Sequence, residues 1–132
     1  YIEIGKYLRG LKYNVYFFLG PEEKEYIEIC HNDGFICPEW SNGKMLYNND
    51  ILFTMSLAKM MSCILCNDGG TSWMFEFAGV KSLKIFGVTN EKKFARPNYC
   101  KTIQVSDYGY QKLNDFPVED YRLVLDNFLK TL

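Results

Sequence analysis

Several things are scarce or missing in this chain of 132 residues, and each absence narrows the reading. No apolar run approaches the roughly 20 residues of a membrane-crossing helix, and no signal peptide is visible. No excess of basic charge is present: 15 Lys and Arg against 16 Asp and Glu leave a net charge of −1. A general nucleic-acid or anionic-membrane binder is therefore not indicated, since its footprint is basic. Histidine occurs once, as His31 near the end of a predicted helix, and no Ser-His-Asp or Cys-His set emerges. The five cysteines are odd in number and irregularly spaced, which argues against a disulfide framework and for a reducing cytoplasm. Cys30, His31 and Cys37 carry metal-donor atoms, but a fourth ligand at finger-like spacing is lacking, so no metal is expected. There is no internal repeat, low-complexity tract or linker. The expectation is one domain over residues 1–132, with a leading segment missing because the chain starts at Tyr1.

What remains is globular in character: 48% apolar and 23% charged residues, enough for a sizeable core. Apolar and polar stretches alternate as helices and strands do. Ile2 to Leu11 has a helical apolar face, and Val15-Tyr16-Phe17-Phe18-Leu19 reads as a wholly apolar strand, as in a sheet covered on both faces. Pro21 to Cys30 reads as a helix, Phe35-Ile36-Cys37 as a short strand, and Trp40 to Lys44 as a loop. Asp50 caps a helix over Ile51–Met61, with Leu52, Met55, Leu57, Ala58 and Met61 directed to the core. Cys63 to Cys66 is a buried strand whose two cysteines lie on opposite faces and are simple core residues. Ser82–Phe86 and Thr102–Val105 are further strands, and Pro117–Leu132 a closing helix. This alternation predicts an α/β fold, a Rossmann-like three-layer αβα sandwich with a mostly parallel sheet.

In such a fold ligands bind beyond the carboxyl ends of the strands. The turn Asn67-Asp68-Gly69-Gly70-Thr71 is the strongest candidate. Its glycines are expected to permit a sharp turn and close backbone approach, with Thr71 or Ser72 capping a helix whose free N–H groups suit an anion. Glu22 or Glu23 is placed to hydrogen-bond a ribose, and Trp73 to stack on a ligand or to pack in the core. The turn matches neither the dinucleotide nor the P-loop fingerprint.

Asn67-Asp68-Gly69-Gly70-Thr71-Ser72-Trp73, followed by Ala78-Gly79-Val80 and by Ile85-Phe86-Gly87-Val88-Thr89, resembles glycosyltransferase family 9, the heptosyltransferases that use ADP-heptose to build lipopolysaccharide core. The family pattern is roughly D-[ST]-G-x-x-H, a small-residue helix, and a strand ending in F-G-x-T. The preceding helix and Arg96-Pro97 fall in matching order, so the resemblance covers most of Val15 to Val105. It implies the carboxy-terminal, donor-binding half of a GT-B enzyme lacking its first strand. Asp68, Gly69, Gly70 and Thr71 inherit contacts to the sugar-diphosphate, Glu22 or Glu23 contacts to the nucleoside, and Asn49 a place near the base. Trp73 stands where the family keeps histidine.

For the complete enzyme the resemblance implies inverting, metal-independent transfer with no cofactor. The general base, an aspartate, belongs to an amino-terminal domain that this chain lacks, so the chain alone is not expected to catalyse transfer. The implied partners are a nucleotide-diphosphate-sugar and, through the other domain, a glycan or lipid-linked glycan acceptor. Nucleic acid is not among them, and a peripheral membrane association of the complete enzyme stays open. Two alternatives stand beside this: a catalytically inactive GT-B-like binding or assembly module, and another nucleotide-sugar enzyme of GT-B type.

Overall fold

A computed structural model describes residues 1–46, 50–96 and 98–132. Two compact units make up the chain, Tyr1–Thr54 and Met55–Leu132. Together they give a mixed α/β architecture with a three-stranded parallel sheet, flanked by helices, and a separate two-stranded hairpin.

In the first unit, α1 (Ile2–Gly10) buries Ile4 and Gly5. Helix α1 comes so near Phe35 that a methyl on Gly5 would stand 2.8 Å from its ring. The expected strand Val15–Leu19 does not form as a ladder. It makes a single parallel bridge, Tyr16 to Ile36, with Phe17 N–H donating to the Ile36 carbonyl at 2.8 Å and Ile36 N–H to that of Val15 at 3.0 Å. The reason lies in its partner. Phe35–Cys37 is hemmed in by Gly34, which turns the chain with φ +73°, and by Pro38, which has no N–H to continue the pairing. The expected helix from Pro21 is likewise divided, into a 3-10 turn (Pro21–Glu23) and α2 (Tyr26–Asn32).

The segment read as a loop at Trp40–Lys44 is a hairpin: β1 (Trp40–Ser41) and β2 (Lys44–Met45) pair antiparallel. Asn42 and Gly43 between them have φ of 50° and 71°, the two left-handed residues that a tight hairpin turn needs. The core of this unit is Leu19, Ile27, Cys30, Phe35 and Cys37. Trp40 donates its indole N–H to the Leu19 carbonyl at 2.8 Å. Thr54 donates its hydroxyl to the buried carboxylate of Glu39.

Helix α3 (Ile51–Ala58) crosses the boundary between the units and stops short of the expected Met61. Ala58 is fully buried, but Leu52, expected in the core, is 72% exposed.

The second unit is more regular. Strands β3 (Ile64–Asn67), β4 (Ser82–Phe86) and β5 (Cys100–Gln104) run parallel in that spatial order. Helix α4 (Gly70–Phe77) connects the first two strands and α5 (Glu91–Phe94) the next two. The central strand β4 is buried at every position, as a strand covered on both faces must be. Helix α6 (Val118–Leu129) buries Tyr121, Leu125 and Phe128. No helix among the described residues is long and apolar enough to cross a membrane.

Candidate functional site

Parallel strands deliver their carboxyl ends to one edge of the sheet, and in the second unit a cleft of about 350 Å³ opens there. Three stretches line it: Asn67 and Asp68 at the end of β3, Ile85 and Gly87–Thr89 from the end of β4, and Lys112–Asn114 from the chain before α6. The first two walls are tied together where Asp68 N–H donates to the Ile85 carbonyl at 3.0 Å. Gln104 steadies the second, its amide N–H₂ donating to the Gly87 carbonyl at 2.9 Å while its oxygen accepts from Glu91 N–H at 3.0 Å.

The glycine turn differs from its expected form. Neither Thr71 nor Ser72 is the N-cap of α4. Gly69 is, and Ser72, in the first turn of the helix, reaches back to donate its hydroxyl to the Gly69 carbonyl at 2.7 Å. Gly69 has φ 173°, which is ordinary extended backbone, and neither Gly69 nor Gly70 has a left-handed φ. The turn therefore needs no glycine for its backbone. What the glycines leave is space, because a methyl on either would meet nothing within 4 Å. The N–H groups of Gly70 and Thr71 have no acceptor among the described residues.

The residues singled out from the sequence fall in different places. Asp68 lines the cleft, while Gly69, Gly70 and Thr71 follow it directly at the head of α4. Trp73 is not among the lining residues. Its ring stands 5.0 Å from the Lys84 ammonium and 5.1 Å from the Arg96 guanidinium, so cations of its own chain engage it. Glu22 and Glu23 belong to the first unit, where Glu23 accepts from Gly20 N–H at 2.8 Å. Asn49 lies outside the described residues. No cluster of three or more metal-donor side chains occurs among the described residues.

Beside the turn lies a buried polar network that the sequence reading missed. Lys84 on β4 and Glu76 on α4 form an ion pair with both side chains at 0% exposure. Arg96 approaches from outside, its Nε 4.0 Å from the second Glu76 oxygen, and its guanidinium lies 4.9 Å from the Phe77 ring. A signal was present: a lone acid inside Trp73-Met74-Phe75-Glu76-Phe77 and a lone base inside Leu83-Lys84-Ile85-Phe86. Buried charges are paired, so opposite charges in two successive apolar elements are natural partners.

The thiols are poor nucleophiles. Burial pushes Cys30 and Cys66 up to about 12, the latter against the pull of Lys84. It also raises Cys37, Cys63 and Cys100. All five cysteines are free.

Compared with known proteins, the chain matches no family model, no curated protein and no solved structure.

Proposed function

We propose that this chain is the donor-binding half of an inverting, metal-independent glycosyltransferase of GT-B type, similar to the heptosyltransferases of family 9 and working in the cytoplasm. On this reading the parallel sheet is part of a Rossmann-like three-layer sandwich. One observation carries it: Asp68 and Gly87–Thr89, which lie in the two stretches bearing the resemblance, meet in one cleft at the carboxyl ends of adjacent parallel strands. The ligand is then a nucleotide-diphosphate-sugar.

In the reaction so proposed, an acceptor hydroxyl attacks the anomeric carbon and a new C–O bond forms. The bond from that carbon to the diphosphate oxygen breaks with inversion, and the hydroxyl proton passes to the aspartate that the resemblance assigns to a second domain. Negative charge grows on the departing diphosphate. The N–H groups of Gly70 and Thr71, which have no acceptor among the described residues, supply partial positive charge near Asp68 that needs no reorganisation during the step.

Isothermal titration of the complete protein with ADP, UDP and GDP tests this reading. The expected outcome is binding of at least one of them, lost in the double variant Asp68→Ala, Gly70→Val. Gly70→Val places a branched side chain in the open space beside the turn. Absence of binding, or binding unchanged in the variant, rejects the proposal.

A second reading, a binding module without transferase activity, draws on Trp73. The side chain in the family's histidine position is occupied by Lys84 and Arg96 rather than turned to the cleft. Donor binding without release of nucleoside diphosphate in the presence of a range of glycan acceptors separates this from the first.

A further inference from the structure

The lining of the cleft includes one acid, Asp68, and one base, Lys112. These two cannot serve the same part of an anionic ligand. A carboxylate accepts hydrogen bonds and repels phosphate, whereas an ammonium donates and attracts it. The remaining side chains of the lining are neutral. A ligand with a diphosphate therefore has one orientation that satisfies both charges, with its phosphates towards Lys112 and its hydroxyls towards Asp68.

We infer that Lys112 is the phosphate-holding residue of the cleft and that Asp68 reads the hydroxyl groups of the ligand. This deepens the donor-binding reading and rests on it. It also adds to the head of α4 a second holder of the diphosphate, a residue that follows both motif stretches by more than a helix and a strand.

Three further observations support the assignment. Lys112 makes no ion pair among the described residues, unlike Lys6 and Lys84, so its charge is not already neutralised. Its backbone is held in place although its side chain is exposed. Lys112 is the N-cap of a 3-10 turn (Leu113–Asp115), and its carbonyl accepts from Asp115 N–H at 3.1 Å. That turn is fastened at both ends. Leu113 sits over Gly87, where an added methyl would stand 3.6 Å from its Cβ, and the Phe116 ring packs T-shaped with those of Tyr108 and Tyr110, centroids 5.2 and 5.7 Å away. A lysine on such a support carries a mobile point charge on a fixed base, suited to following a phosphate group. Finally, a volume of about 350 Å³ falls within the range of small-molecule sites.

The test is titration of the complete protein and of Lys112→Ala, Lys112→Arg and Asp68→Asn with inorganic pyrophosphate, ADP and adenosine, at two salt concentrations. Thermal melts confirm that each variant is folded. The expected result is that Lys112→Ala weakens ADP and pyrophosphate by roughly ten- to a hundredfold and flattens the salt dependence. Lys112→Arg should restore part of the affinity. Asp68→Asn should leave pyrophosphate as tight or tighter, since it removes a repulsion. ADP binding that is equal in wild type and Lys112→Ala, with the same salt dependence, overturns the inference while the donor-binding reading stands. Pyrophosphate binding that depends on Lys112 without any gain from a nucleoside keeps the anion site and removes the nucleotide from the reading. If wild type binds neither ADP nor pyrophosphate, the inference falls; the titrations with UDP and GDP then decide whether the donor-binding reading falls with it.

Discussion

In the first unit the buried carboxylate, Glu39, meets a neutral partner, the Thr54 hydroxyl, whereas in the second Glu76 meets the Lys84 ammonium. The difference shows in how each unit depends on its charges. Glu39 can shed its charge by taking up a proton, and burial does hold its carboxyl above the ordinary range, with the Thr54 hydrogen bond pulling back and the Glu23 charge adding to the rise. Glu76 and Lys84 keep each other, and each becomes a liability without the other. The backbone repeats the contrast. The second unit pairs three strands in unbroken parallel register, while the first reduces its parallel pairing to one bridge and puts its other pairing into a two-residue hairpin.

The largest expected effect comes from separating the ion pair. Glu76→Leu leaves one uncompensated buried charge and should destabilise the protein by about 3–5 kcal/mol in urea unfolding followed by circular dichroism, and Lys84→Met should cost less, because Arg96 still faces the second Glu76 oxygen. The double variant should recover most of that loss, because two apolar side chains of similar volume ask for no pairing. A double variant no more stable than the singles would show that the pair is not the unit in question.

Next come the glycines, which separate conformational need from open space. Gly43 holds φ +71° in the hairpin turn, so Gly43→Ala should cost about 1 kcal/mol. Gly70→Ala meets nothing and requires no unusual backbone, so its stability should stay within about 0.5 kcal/mol of wild type. Equal losses at the two positions would remove the distinction.

The smallest effect is one of pH. A carboxyl whose folded pKa is raised favours the folded state below its unfolded value, and that contribution is lost as pH climbs through the folded value. Stability owed to Glu39 should thus decline from its ordinary value of 4.5 upward. Glu39→Gln keeps an oxygen for Thr54 and should flatten this decline in a series of melts across pH, whereas Glu76→Gln should not mimic it.

The strand–turn–helix–strand stretch over β3, α4 and β4 was legible because its apolar runs are punctuated by Asn-Asp-Gly-Gly and Gly-Val-Thr-Asn, signals that act locally. The first unit was harder for the same reason in reverse. Val15–Leu19 is apolar enough for a strand, but a ladder also needs a partner, and Gly34 and Pro38 leave that partner three residues long. Asn42-Gly43 is a hairpin signal, but its flanking strands, two residues each, are too short to show the alternation that marks a strand. In the cleft, Asp68 and Gly87–Thr89 could be found by looking past strand ends. Lys112–Asn114 could not, because Leu113 stands on Gly87 there, an approach between residues 26 apart with no local mark in either segment. The Lys84–Glu76 pair did leave a mark, one charge inside each of two successive apolar elements, but each charge reads as an exposed exception until the helix is laid on the strand.

The two tryptophans fall one to each unit, Trp40 on the hairpin and Trp73 on α4, in unlike surroundings. The indole of Trp40 is hydrogen-bonded to a backbone carbonyl, and that of Trp73 is flanked by two cations. The chain thus carries a separate intrinsic fluorophore in each half. With Trp40→Phe and Trp73→Phe in turn, emission reports on a single unit, and the two unfolding curves reveal whether the halves melt as one cooperative body or one after the other.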